Sequence, residues 1–134
     1  MRPGAGSPTR MATVVALALA LLAACSGGGS GEGDVSVTFR IEPRPPVVGS
    51  ARLELRLIDP AGGPIPGAGV QVEANMNHAG MQPTFSTLEE SAPGLYAGPL
   101  EFTMGGDWFL LVVARLDDGR EIERRLDVPG VRSE

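Results

Sequence analysis

Soft-metal chemistry is the one chemistry whose ligands this sequence gathers in one place. Met76, His78 and Met81 fall within Ala74-Asn75-Met76-Asn77-His78-Ala79-Gly80-Met81-Gln82-Pro83, and His78 is the only histidine. A further methionine, Met104, precedes Gly105-Gly106 and then Trp108, the only tryptophan. Thioether sulfur and imidazole nitrogen together suit a soft, low-coordinate ion. Cu(I) is the natural match, whereas a structural Zn(II) site would take four Cys or His ligands. Methionine keeps its lone pairs at any pH and forms no disulfide, which suits an oxidising compartment. Met76, His78 and Met81 are therefore candidate ligands, Met104 a candidate fourth, and Trp108 a candidate ring capping the metal opposite the sulfurs. The competing assignment is packing: Met76 and Met81 as gap-filling core residues, His78 as a solvated loop residue, Trp108 as the core anchor.

Other chemistries lack their parts. Glu89-Glu90 reads as a solvated turn, since no cleft residue stands beside it to make an acid/base pair. A single histidine with no aspartate at a recognisable motif spacing gives no basis for a Ser-His-Asp triad. Arg124-Arg125 reads as edge charge that discourages strand-to-strand aggregation. No enzymatic activity is expected.

The elements that must position these residues are strands. Val35, Val37, Phe39 and Ile41 alternate with Ser36, Thr38 and Arg40, the pattern of a half-buried strand, which Pro43-Arg44-Pro45-Pro46 then stops. Leu53, Leu55 and Leu57 repeat the alternation within Ala51–Ile58, and Asp59-Pro60-Ala61-Gly62-Gly63-Pro64 is dense in turn residues. Val70, Val72 and Ala74 begin a third strand. If it continues past Ala74, Met76 and His78 share a face one pleat repeat (about 7 Å) apart, and Ala79-Gly80 folds Met81 back toward them. Thr84–Leu88 is a short fourth strand. Leu95–Met104 follows, with Tyr96, Leu100 and Phe102 as packing residues. Trp108–Ala114 is nearly continuous apolar sequence, as in a central strand covered on both faces. Asp117-Asp118-Gly119 makes a hairpin turn and Arg120–Val128 closes the domain. The expected fold is all-β: a single immunoglobulin-like β-sandwich of about seven short strands with no disulfide.

The N-terminal segment reads as an export signal. Arg2 and Arg10 precede the apolar run Val14–Ala24, which is too short to span a bilayer comfortably. Leu22-Ala23-Ala24-Cys25 has the form of a lipobox, with small residues where a peptidase binds extended chain and the only cysteine at the cut. The expected layout is a signal peptide at 1–24, lipidated Cys25 with a Gly/Ser linker over 25–34, a domain over 35–128 and a tail over 129–134. Lipid on Cys25 would anchor the protein to the cell envelope, facing the periplasm or exterior. Ser26, where an aspartate would signal inner-membrane retention, favours the outer membrane where a cell has one.

Cleavage before Cys25 leaves 9 arginines, no lysine and 16 carboxylates, a net charge of −7. Such a domain lacks the basic face that nucleic acid requires. No second apolar stretch offers a membrane span.

Gly63-Pro64-Ile65-Pro66-Gly67-Ala68-Gly69-Val70, Met76-Asn77-His78-Ala79-Gly80-Met81, Gly94-Leu95-Tyr96 and Phe102-Thr103-Met104-Gly105-Gly106-Asp107-Trp108 together resemble the YtkA-like domain, related to FixH. The resemblance spans Val35 to Val128. Met-x-His-x-x-Met and Met-Gly-Gly-x-Trp are its diagnostic pair, because the opening Gly-x-Pro segment recurs in many β-sandwiches. It implies a small exported immunoglobulin-like domain in a family associated with copper handling and respiratory-oxidase assembly, with no catalytic activity. FixH proteins carry a membrane anchor in place of a lipobox. Two functions follow as expectations: a lipid-tethered copper(I) chaperone or sequestering module, or a structural module that binds another envelope protein while its methionines only pack.

Overall fold

Period-two alternation decides which side chains each strand buries, and β-branched and leucine-rich runs supply the strands. The computed structural model describes residues 35–134. It contains β1 (Ser36–Glu42), β2 (Gly49–Ile58), β3 (Gly69–Met76), β4 (Thr84–Ala92), β5 (Leu95–Phe102), β6 (Gly106–Arg115) and β7 (Glu121–Val131), and no helix among these residues. All seven strands pair antiparallel in one continuous order, β1-β2-β5-β4-β3-β6-β7. The signal, the linker and the lipidation expected at Cys25 lie outside the described residues. No helix of the described residues is long and apolar enough to cross a membrane.

The all-β expectation holds, with one refinement. β4 runs to Ala92, beyond the short strand expected to end at Leu88, and it changes partners midway. Thr84–Leu88 pairs with β3, whereas Glu89 and Glu90 pair with Ala97 and Tyr96 of β5. A strand that switches partner lets a single sheet bend around a core. It therefore joins β1-β2-β5 to β3-β6-β7 as one sheet folded over a shared core. Leu53, Leu55, Leu57, Val70, Tyr96, Phe102 and Leu110 are fully buried in that core.

Three expectations are corrected. Phe39 is 37% exposed although Ile41, on the same face, is buried. β1 is an edge strand, and the slot between Phe39 and Asp127-Val128 of the opposite edge is open. Second, β6 buries only one face. Trp108, Leu110, Val112 and Ala114 point into the core, while Leu111 is 38% exposed, with Phe109 and Val113 partly covered beside it. β3 and β7 flank β6 within the sheet, and its outer side is covered only in part, with Arg125 over the Phe109 ring. Third, β7 continues past Val128 to Val131, which is buried.

The two edge strands are fastened where the chain nears its end. Val48 N–H donates to the Arg132 carbonyl at 2.8 Å, and Arg132 N–H to the Pro46 carbonyl at 2.9 Å. Arg124 reaches across the same seam to the Val35 carbonyl, 3.1 Å away. Arg125 stacks 3.8 Å over the Phe109 ring and pairs with Asp127. Both arginines lie on an edge strand as expected, but each also has a specific partner.

Candidate metal centre

Strand register puts the segments that carry the candidate ligands at one end, or pole, of the folded sheet. β3 ends where Met76 stands opposite Trp108 of β6. The ladder with β6 ends at this pair, although β6 itself reaches back to Gly106. Asn77, Gly80 and Pro83 then carry the chain through a loop to β4, with Gly80 in the left-handed region (φ 82°) that favours glycine. The strand thus continues past Ala74, but only to Met76. His78 sits in the loop, so no pleat register holds it on the face of Met76. The Met81 N–H donates to the His78 carbonyl at 3.4 Å, closing the loop loosely.

The second half of the pole is the turn between β5 and β6. Phe102 ends β5, and Thr103-Met104-Gly105 leads into Gly106. The Trp108 ring meets the Phe102 ring edge-on, with centroids 5.3 Å apart and planes at 71°. Its indole N–H donates to the Met104 carbonyl at 2.9 Å. A Cβ on Gly106 would lie 2.9 Å from the Met76 methyl, so the end of the Met76 side chain packs against the Gly106 backbone. Gly106 also takes a φ of 126°, which side-chain-bearing residues rarely adopt.

Burial separates the candidates. Met76 is 7% exposed and belongs to the core cluster, against which Met81 packs while partly buried. Met104 is 44% exposed, and His78 is exposed in its loop. Trp108 is 2% exposed, with its ring against Phe102 and its N–H committed to Met104. The pole therefore offers thioethers at graded depths and one accessible imidazole. This donor set fits a soft monovalent ion, with Met76, His78, Met81 and Met104 as the residues that would hold it. No group of three or more His, Cys, Asp or Glu side chains suited to a metal exists among the described residues.

One specific polar arrangement escaped the sequence reading. Glu90, expected as part of a solvated turn, lies within β4 and accepts backbone N–H bonds from Gly67 and Gly94, each at 3.2 Å. These bonds, the one from Gly94 foremost, hold its carboxyl below the usual glutamate range. Beside it the Tyr96 hydroxyl donates to the Ile65 carbonyl at 2.7 Å and accepts from Ala68 N–H at 3.0 Å. Burial, the largest influence, pushes the Tyr96 phenol up. Together Glu90 and Tyr96 fix the Pro64–Ala68 turn. The signal available in sequence was the glycines at 67 and 94, but not the acid they would meet.

The YtkA-like family model matches residues 30–113, more than half of the chain. No curated protein matches it. Among solved structures, the PmoD soluble domain from Methylocystis sp. is similar at 13% identity, covering 73% of this chain and 91% of that one, with a TM-score of 0.46. A superoxide reductase (neelaredoxin) from Ignicoccus hospitalis is similar at 12% identity, covering 75% and 82%, with a TM-score of 0.45. The chain belongs to the YtkA-like family.

Proposed function

We propose that this protein is a lipid-anchored, extracytoplasmic copper(I)-binding accessory protein that sequesters or delivers the ion. The observation that carries this reading is the register that sets Met76 opposite Trp108 and so brings the loop holding His78 and Met81 to the same pole as Met104. Membership of a family associated with copper handling supports it. Met76, His78 and Met81 would hold the ion, with Met104 as a fourth ligand. A bound Cu(I) would be a cargo, and no reaction is assigned to the domain. The anchor would be lipid on Cys25, with the domain facing the periplasm or exterior. Anaerobic titration with Cu(I) against a competing chelator tests the reading, which requires one site per chain and fails if the chelator keeps all the metal.

A second reading rests on the outer side of β6. Phe85 is 74% exposed and faces a groove of about 410 Å³ shared with Gln71, Glu73, Leu111 and Val113. This uncovered apolar strip supports a module that binds another envelope protein. Under that reading, replacing Met76 and Met81 by leucine leaves function intact, while Phe85→Ser removes it.

A further inference from the structure

Trp108 contacts one short turn in two ways. Its ring packs edge-on against Phe102, where the turn begins, and its indole N–H holds the Met104 carbonyl at 2.9 Å. On the neighbouring strand it stands opposite Met76, whose methyl rests against Gly106, where the turn ends. The peptide that carries Met104 is therefore fixed from both ends, although its side chain is 44% exposed. The 77–83 loop contrasts with it. Among the described residues that loop has one backbone hydrogen bond of its own, the 3.4 Å contact of Met81 with His78.

The geometry points to Trp108 as a positioning residue for Met104, acting through the Met104 carbonyl, and not as a ring that caps the metal. An indole has a single donor and no acceptor, and here that donor is already used. A side chain 2% exposed and packed on Phe102 presents little ring face to an ion at the surface. What it supplies is preorganisation. Met76 and the backbone of the Met104 turn are set by the core, so an arriving ion has less of the Met104 turn to order. Fixing part of a site in advance lowers the entropic cost of binding. The functional meaning of this role rests on the copper(I) reading above, but the structural part does not.

The test uses the full-length chain with 13C-labelled methionine methyls and two changes at one position. Trp108→Phe keeps an aromatic ring toward Phe102 and deletes the N–H. Incorporation of 3-benzothienylalanine at position 108 keeps the bicyclic shape and puts sulfur where the N–H was, which covers failure of the phenylalanine variant to fold. In metal-free protein, either change should broaden or shift the Met104 methyl signal and speed amide exchange across Thr103–Gly106 by roughly tenfold or more. Cu(I) affinity should fall roughly 10–100-fold, as for other residues that orient a ligand. The same change should add nothing in a Met104→Leu background. Unchanged turn exchange and Met104 signal in a folded variant would overturn the positioning role. So would an affinity loss of equal size in the Met104→Leu background. A parent protein that binds no Cu(I) would overturn the copper reading instead, and the metal-free measurements would still decide the role of Trp108.

Discussion

The Met76 methyl lies against Gly106, the residue where the turn from β5 enters β6. This contact ties the end of β3 to the Met104 turn, at a backbone position that favours glycine. Its φ of 126° disfavours any side chain, whereas an added Cβ, 2.9 Å from the Met76 methyl, would meet only the end of a flexible side chain that can shift. Gly106→Ala should therefore destabilise the fold by about 1–3 kcal/mol, the usual cost of a residue held in a sparsely populated backbone region. Urea denaturation measures it. Removing the methyl contact in a Met76→Ala, Gly106→Ala pair should leave the backbone share of the cost in place.

Tyr96→Phe should cost about 1–3 kcal/mol, because the buried hydroxyl serves the Ile65 carbonyl and the Ala68 N–H at once. The ring stays in the core, so cooperative unfolding should persist with a lower midpoint. An unchanged midpoint would show that water replaces both bonds at no cost.

Glu90 predicts a pH signature. Its folded-state carboxyl lies below the ordinary range, chiefly through the Gly94 N–H, so the unfolded chain takes up a proton at higher pH than the folded one. The stabilisation is full above the ordinary glutamate range and is lost as pH falls through the lower folded-state value. Glu90→Gln should weaken the protein at neutral pH and flatten this acid-side loss, read from denaturation midpoints between pH 7 and pH 3. A slope identical to that of the parent would remove Glu90 from the account.

These cases mark what sequence conveys here. The leucines at 53, 55 and 57 alternate on a strand with one buried face, so pattern and structure agree. β6 misleads because the run from Trp108 to Ala114 is apolar on both sides, although only the core side is fully buried. Period-two reading has no means of telling a covered outer face from one left open. Glu90 was illegible because its partners, Gly67 and Gly94, offer backbone N–H groups that no residue pattern announces. Around the candidate ligands, the expected continuation of β3 past Ala74 holds only to Met76, and His78 and Met81 lie in the loop that follows. That β3 stops at Met76, with Trp108 as its last partner, is a matter of tertiary pairing that no residue pattern announces.

The anchor is testable apart from the domain. Cys25→Ser should abolish incorporation of a fatty-acid analogue and leave precursor unprocessed, checked by metabolic labelling. Undiminished labelling in the variant would end the lipoprotein assignment.

The central claim is that the methionines at the pole are ligands and not filler. Replacing Met76 and Met81 together by leucine nearly conserves volume and apolarity, and should cost less than about 1.5 kcal/mol for each swap. The fold should survive while both sulfurs are gone. The decisive measurement is anaerobic Cu(I) affinity, by chelator competition, of the Met76→Leu, Met81→Leu protein against the parent. It should fall by at least about tenfold, the weakest loss typical even of residues one step removed from the metal. Equal Cu(I) affinity in the double variant and the parent would contradict the account and leave the methionines as packing.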